Sequence, residues 1–257
     1  MRQLPSESID LIYIDPPFFS GRQYNVIFGD QNELRSFSDI WEGGMPGYLI
    51  WLNARLYEMK RLLKKTGSIY VHLDWHAVHY VKVEMDKTFG VENLQNEIIW
   101  FHPGGGASNL RFARKHDTLL WYTRNSSKYT FNADAVRVEY RTENVGPQTY
   151  SFEKNKKRRP IFKKGFTWTP NQLGKLAPDV WDDIKALYGP AKEIIGYPTQ
   201  KPEDLIARAV LSSTNEGDIV ADFFCGGGTS AAVAQKLGRR WIACDQSRVA
   251  VAITADR

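Results

Sequence analysis

Ile219-Val220-Ala221-Asp222-Phe223-Phe224-Cys225-Gly226-Gly227-Gly228-Thr229 decides the fold. An apolar strand runs into an acid, then three glycines, then residues suited to a helix start. Glycines at such a turn let the backbone approach a ligand closely. Asp245, ending the next apolar stretch, is placed to accept both hydroxyls of a ribose. Gly226, Gly228 and Ala231 also match the G-x-G-x-x-G/A spacing of a dinucleotide site, so spacing alone leaves both ligands open. Asp222 weighs the other way, since a carboxylate there repels a pyrophosphate and suits the ammonium of a methionine moiety. A glycine turn with no ligand is the plain alternative.

The same device stands near the other end of the chain. Ile9-Asp10-Leu11-Ile12-Tyr13-Ile14 reads as a strand covered on both faces, and Asp15-Pro16-Pro17-Phe18 follows it. An exocyclic amine on a base ring is a poor nucleophile because its lone pair is delocalised. Two acceptors aimed at its two N–H bonds favour a more tetrahedral nitrogen. Asp15 and the Pro16 carbonyl can supply them, and the prolines stiffen the turn so that both point one way. Phe18 can stack on a base that has left its duplex. Methyl transfer by direct displacement then rests on orientation, with no covalent intermediate and no metal required. A simple strand-terminating turn is the competing reading.

Between these ends, strands alternate with helices. Leu52, Leu56, Met59 and Leu63 predict a helix over 48–65, stopped at Thr66-Gly67. Strands are expected at 68–73, 97–101, 118–122, 218–224 and 240–244, and helices at 76–89, 202–213, 229–237 and from about 247. That alternation argues for a mostly parallel, doubly wound α/β sheet of Rossmann-like type. His102 to Ser108 reads as a mobile loop by composition. From 124 to 196 the periodicity fades and aromatics interleave with basic residues, as in an inserted substrate-facing subdomain. The expected division is 1–123, 124–196 and 197–257.

The 257 residues are 42% hydrophobic and 25% charged, an ordinary globular composition. The formal charge of +5 is uneven. Residues 124–170 hold eleven Lys and Arg against four acids, a net +7, so the remainder nets −2. A regional excess favours a polyanion-binding patch. No apolar run approaches the roughly 20 residues needed to span a membrane. Met1-Arg2-Gln3 leads into a polar stretch, so no signal peptide is expected. Cys225 and Cys244 lack a metal-ligand partner nearby, and both are expected to pack as small apolar groups in a cytoplasmic protein.

With these residues in hand, the chain resembles the β-class DNA amino-methyltransferases, the N6-adenine/N4-cytosine group that uses S-adenosylmethionine (SAM). The resemblance covers nearly the whole length. Asp15 to Phe18 matches the catalytic motif, Gly67 to Asp74 the following pocket-lining strand, and His116 to Tyr122 a late strand. Tyr197-Pro198-Thr199-Gln200-Lys201-Pro202 matches the helix-leading SAM motif, and Asp222 to Thr229 the glycine loop. It implies catalytic roles for Asp15, Pro16, Pro17 and Phe18. It implies SAM contacts from Asp222, Phe223, Phe224, Gly226, Gly228, Thr229 and Asp245, with Thr199, Gln200 and Lys201 at the SAM carboxylate. A capping Thr199 and a solvated Lys201 are the ordinary alternative. The order of the motifs, with target recognition between them, is that of the β-class.

Asp15, rather than Ser, leans the resemblance toward adenine-N6, with cytosine-N4 methylation and a non-catalytic DNA-binding remnant as alternatives. Phe18 replaces the commoner Tyr and keeps its stacking face. The family begins with a strand and a Gly-Asp-Asn-like turn that precede the segment seen here, and this chain stops in the helix after Asp245. A truncated fragment lacking one edge strand is therefore expected. Double-stranded DNA is the implied partner, with a homodimer and a cognate restriction endonuclease as further ones. Lys156, Lys157, Arg158, Arg159, Lys163 and Lys164 are candidates to grip phosphates in a salt-sensitive way, although a charge run also suits a solvated face. Arg22, Arg111 and Arg114 are expected in loops near the cleft, as further DNA contacts. His72 and Asp74 end a strand on the ligand side, and His76 and His79 do not complete a metal site with His72.

Overall fold

The computed structural model describes residues 1–21, 23–27, 34–39, 41–104, 109–139, 171–187, 191 and 193–257. The chain divides into two compact units, Met1–Asn132 with Asp179–Arg257, and Ala133–Pro178.

The larger unit is built on a seven-stranded sheet. In chain order its strands are β1 (Ile9–Ile14), β4 (Leu63–Leu73), β5 (Leu94–Phe101), β6 (His116–Thr123), β9 (Val180–Trp181), β10 (Ile219–Asp222) and β11 (Arg240–Ala243). Across the sheet the order is β11-β10-β1-β4-β6-β5-β9. The β11, β10, β1 and β4 strands run parallel, β6 lies antiparallel between β4 and β5, and β9 joins β5 in parallel. A short hairpin of β2 (Gln23–Ile27) and β3 (Leu34–Ser38) stands apart from the sheet.

The residues of β1 explain its central place. All six are buried, and alternate side chains enter opposite layers. Ile12 and Ile14 face α1 (Gly44–Leu62) and α2 (Val78–Phe89), where they meet Leu52, Leu56, Met59, Val81 and Met85. Leu11 and Tyr13 face α3 (Glu203–Ser213) and α4 (Thr229–Lys236), where Leu205, Ala209 and Val233 pack. Asp10, at the strand's start, ties three elements together. Its carboxylate accepts from Lys64 Nζ at 2.8 Å and from the Ile219 amide at 2.9 Å. A last helix, α5 (Arg248–Asp256), starts at Ser247, whose side chain caps the Ala250 amide at 3.3 Å. No described helix is long and apolar enough to cross a membrane.

Several boundaries differ from expectation. The first helix ends at Leu62 and β4 starts at the next residue, so Thr66-Gly67 lies inside a strand and stops nothing. Gly67 is required there by close packing, since a Cβ would lie 2.9 Å from the Asp10 carbonyl. The strand expected at 218–224 ends at Asp222, which frees Phe223 and Phe224 to line the turn. In the smaller unit, β7 (Arg137–Val138) pairs antiparallel with β8 (Lys175–Leu176).

Candidate active site

The pairing of Leu11 with Val220 and Ile12 with Ala221 brings the first and last motifs to the same edge of the sheet. Asp15 and Asp222 leave neighbouring parallel strands at their carboxyl ends, where open α/β sheets bind ligands. A cavity of about 330 Å3 lies there, and both loops line it. That volume falls in the range of small-molecule sites.

The Asp15-Pro16-Pro17-Phe18 turn is held from behind. Tyr48 Oη donates to the Pro17 carbonyl at 2.8 Å, and Tyr48 is wholly buried. Phe19 adopts a left-handed conformation (φ 62°). The buried Asp39 carboxylate secures it by accepting from the Phe19 and Ser20 amides at 3.0 and 2.5 Å and from Trp41 Nε1 at 2.9 Å. The Phe18 ring lies 5.9 Å from His72 and 5.1 Å from the Lys201 ammonium. Lys201 itself is ion-paired with Asp15 Oδ2.

The glycine loop is equally constrained. Gly228 takes φ +75°, and a Cβ on it would stand 2.8 Å from Thr254 Oγ1. Tyr197 covers Gly227 so closely that a Cβ there would lie 3.0 Å from the tyrosine Cβ. Asp222 accepts from Ser230 Oγ at 2.6 Å and from the Phe224 amide at 2.9 Å. Burial, reinforced by the nearby Asp15 and Asp245 charges, pushes its carboxyl up to about 7. Asp245 accepts from the Gly226 amide at 3.0 Å and the Ser247 amide at 2.8 Å, which aims it into the cavity.

These groups form an electrostatically incomplete site. The cavity is lined by the carboxyls of Asp15, Asp39, Asp222 and Asp245 and by the cations Arg55 and Lys201. Asp39 is consumed by its three donors, and one oxygen of Asp15 by Lys201. Among the described residues, Asp222 and Asp245 have backbone and hydroxyl donors but no cation. A ligand carrying an ammonium group and a second positive centre beside a ribose fits that deficit, and SAM has this charge pattern. The residues present therefore fit SAM.

Other expected site residues fall as follows. Thr229 and the Phe223-Phe224 pair line the cavity. Thr199 and Gln200 line it too, but the Gln200 side chain is engaged with the Ile195 amide at 3.0 Å and the Glu193 carbonyl at 2.7 Å. Cys225 is buried, and burial raises its thiol to about 12, as expected of a packing residue. Cys244 corrects the expectation, because it is exposed on the cavity wall and packs into no core. His72 is fully buried behind the Asp15–Phe18 turn, between Tyr13 Oη at 3.0 Å and Asp117 Oδ2 at 3.2 Å. Asp74 instead caps the next turn, accepting from the His76 amide at 2.9 Å. Arg111 is exposed, and Arg114 lies over the Trp75 ring at 3.5 Å. Arg22, residues 105–108 and the Lys154–Lys164 tract, with its six candidate phosphate ligands, lie outside the described residues.

Sequence reasoning missed four contributors. Asp39 carries no motif and is found only by its bonds across some 20 residues of chain. Tyr13, inside the strand, also lines the cavity. Trp51 and Arg55 share a face of α1, with the guanidinium 4.1 Å from the indole, and Trp51 meets Phe224 at 5.6 Å. Their spacing of four on a helix was the available signal.

Comparison with known proteins points one way. A family model described as DNA methylase matches residues 9–256. The DNA adenine methyltransferase YhdJ of Escherichia coli (strain K12) is 29% identical over 245 residues, covering 94% of this chain and 73% of that protein. The type II methyltransferase M.BglII of Bacillus subtilis is 34% identical over 247 residues, and the chain spans 59% of its length. Among solved structures, PvuII DNA methyltransferase (cytosine-N4-specific) superposes with a TM-score of 0.66 at 17% identity, covering 99% of this chain and 80% of that one. The SAM complex of M1.HpyAVI gives 0.57 at 17% identity, covering 100% and 90%. At these identities the structural likeness concerns the fold.

Proposed function

The chain belongs to the N6/N4 DNA methylases, which are SAM-dependent, and from that premise we propose that it methylates the N6 amine of an adenine flipped out of double-stranded DNA. One observation carries the reading: Asp15 stands on the strand next to Asp222, and both line one cavity whose unmatched carboxylates suit a cationic cofactor.

When bound, SAM supplies an electrophilic methyl group on a sulfonium. The chain's own residues supply everything else. Asp222 would hold the ammonium and Asp245 the ribose hydroxyls. Lys201 occupies Asp15 Oδ2, which leaves Oδ1 to accept one N–H of the target amine. The Pro16 carbonyl accepts the other, and the lone pair is then directed into the cavity. Phe18 offers its face to the base. Its position is fixed by His72 beneath it and by Tyr48 on the Pro17 carbonyl. As the nitrogen gains a methyl group it must lose one proton, and Asp15 Oδ1 is the base placed to take it. Orientation of this kind is worth several kcal/mol of barrier, roughly 7–11 in the best cases.

The Asp at position 15 and the resemblance to an adenine methyltransferase support N6 over N4. Target recognition is assigned to residues 124–196. The partners such an enzyme would take are double-stranded DNA, a second copy of itself and a cognate restriction endonuclease.

The test is transfer of labelled methyl from SAM to DNA, followed by digestion to nucleosides. N6-methyladenine is the expected product. Asp15→Ala is expected to lower the rate about 100-fold or more while SAM still binds. N4-methylcytosine in the digest, or an Asp15→Ala variant as active as the parent, would overturn the proposal.

A further inference from the structure

The segment joining β5 to β6 carries a feature that the methyl-transfer chemistry does not use. Leu110 and Phe112 are 97% and 98% exposed, the two barest large apolar side chains among the described residues. Single exposed apolar residues are ordinary. Two within three positions, in a stretch from Asn109 to His116 with Arg111, Arg114 and Lys115 and no acid, are not. The arm is also anchored at its base. Arg114 lies 3.5 Å over the Trp75 ring, and Lys115 Nζ donates to the Pro103 and Gly104 carbonyls at 2.8 and 3.0 Å. The His102 amide donates to the Lys115 carbonyl at 2.9 Å.

Register brings this arm out at the same edge of the sheet as the candidate active site. Ile14 pairs with Val71 on parallel strands, so Phe18 and Trp75, four residues beyond each, leave the same edge of the sheet. Leu73 pairs with Thr118 on the antiparallel β6, so the residues preceding Thr118 emerge at that edge too. His72, Asp117 and Phe18 connect the two across short contacts, 3.2 Å from His72 Nε2 to Asp117 Oδ2 and 5.9 Å between the His72 and Phe18 rings.

We infer that Leu110 and Phe112 form a wedge that enters the DNA base stack when the target base leaves it. This rests on the DNA methylation proposed above. Removing a base from a duplex opens a gap whose neighbours have lost stacking partners, at a cost of a few kcal/mol. Apolar side chains fill such gaps, and cations beside them find phosphates on either side. An arm that carries both, leaving the same sheet edge as the residue proposed to receive the base, matches that demand in charge and apolar character. Free of the duplex, both side chains stand almost wholly exposed.

The test compares wild type with Leu110→Ala/Phe112→Ala on two duplexes carrying the methylation site mapped from modified DNA. In one the target adenine is paired, and in the other it faces an abasic position and is already loose. The variant is expected to lose about tenfold or more in kcat/KM on the paired duplex and to return within about twofold of wild type on the other. Equal rates on the paired duplex would overturn the inference. So would an equal loss on both duplexes with an unchanged melting temperature, since that places the residues in base or phosphate binding. Binding to anionic phospholipid vesicles that the variant loses, with paired-duplex activity intact, would assign the arm to a membrane surface instead. If wild type methylates neither duplex, the functional proposal fails, and the wedge is read independently from plasmid topology. Wild type is then expected to unwind topoisomerase-relaxed plasmid, with the variant bound but inert, and equal unwinding by both would refute the wedge.

Discussion

Replacing Asp222 with Asn tests the electrostatic logic of the cavity. Burial lifts this carboxyl from an ordinary 3.8 to about 7. The folded protein therefore holds a proton at Asp222 between those pH values that the unfolded chain has already released. Stability contributed by that proton is complete below about 4 and is lost as pH rises through about 7. At 1.36 kcal/mol per pH unit, the full loss is about 4 kcal/mol. Asn keeps the shape, accepts from the Phe224 amide and carries no charge to bury. Asp222→Asn is thus expected to gain on wild type with rising pH, by about 3 kcal/mol between pH 5 and pH 8. For a chain of this size that is roughly 6–12 °C in relative melting temperature. Thermal melts of both proteins across that range, without SAM, provide the measurement. Parallel pH profiles would show that Asp222 does not titrate there, and the argument for a cation-seeking carboxylate would fall. The same substitution is expected to weaken SAM binding most above pH 7, where wild type presents a charge and Asn does not.

Three further outcomes are expected. At pH 6, SAM binding should release up to about one proton as Asp222 ionises against the ammonium, read by titration calorimetry in buffers of different ionisation enthalpy. No release would place the ammonium elsewhere. Tyr48→Phe removes the hydroxyl that holds the Pro17 carbonyl, so kcat should fall about tenfold while SAM affinity stays within about twofold; matched kcat values would mean the turn is rigid without it. Gly228→Ala should cost about 1–3 kcal/mol in denaturant titrations, because the residue sits at φ +75° with Thr254 in the path of the new methyl group. An unchanged midpoint would contradict that packing.

The parts of this molecule legible in its sequence are those encoded in contiguous stretches. The Ile9–Ile14 run shows a strand buried on both faces, and the glycine loop shows a strand-to-helix turn, because each needs only local chemistry. The start of β4 was hidden because Leu62 and Leu63 continue the helical spacing of α1 while Leu63 already extends into the sheet. The β9 strand is two residues long and owes its place to Trp181 packing against the sheet, which no periodicity reveals. At the site, motif residues were found, but their partners were not. Lys201 reads as a ligand for a carboxylate, and the carboxylate it meets is Asp15, brought near only by folding. Asp39 has no pattern around it, because its role is to receive backbone amides of another segment.

The adjacency of β1 and β10 also has a meaning in time. Leu11 lies against Val220, about 200 residues further along the chain. On the ribosome, β4 is available to β1, and β6 to β4, long before β10 exists. At 5–20 residues per second, the interval between the emergence of Thr123 and Ile219 lasts roughly 5–20 s. Throughout it, an apolar strand keeps one edge unpaired, the condition under which strands capture the wrong neighbour. Slow translation between residues 124 and 218 should therefore lower soluble yield more than slow translation elsewhere. The cavity rests on that same pair of strands, so it is among the last features of the molecule to come into being.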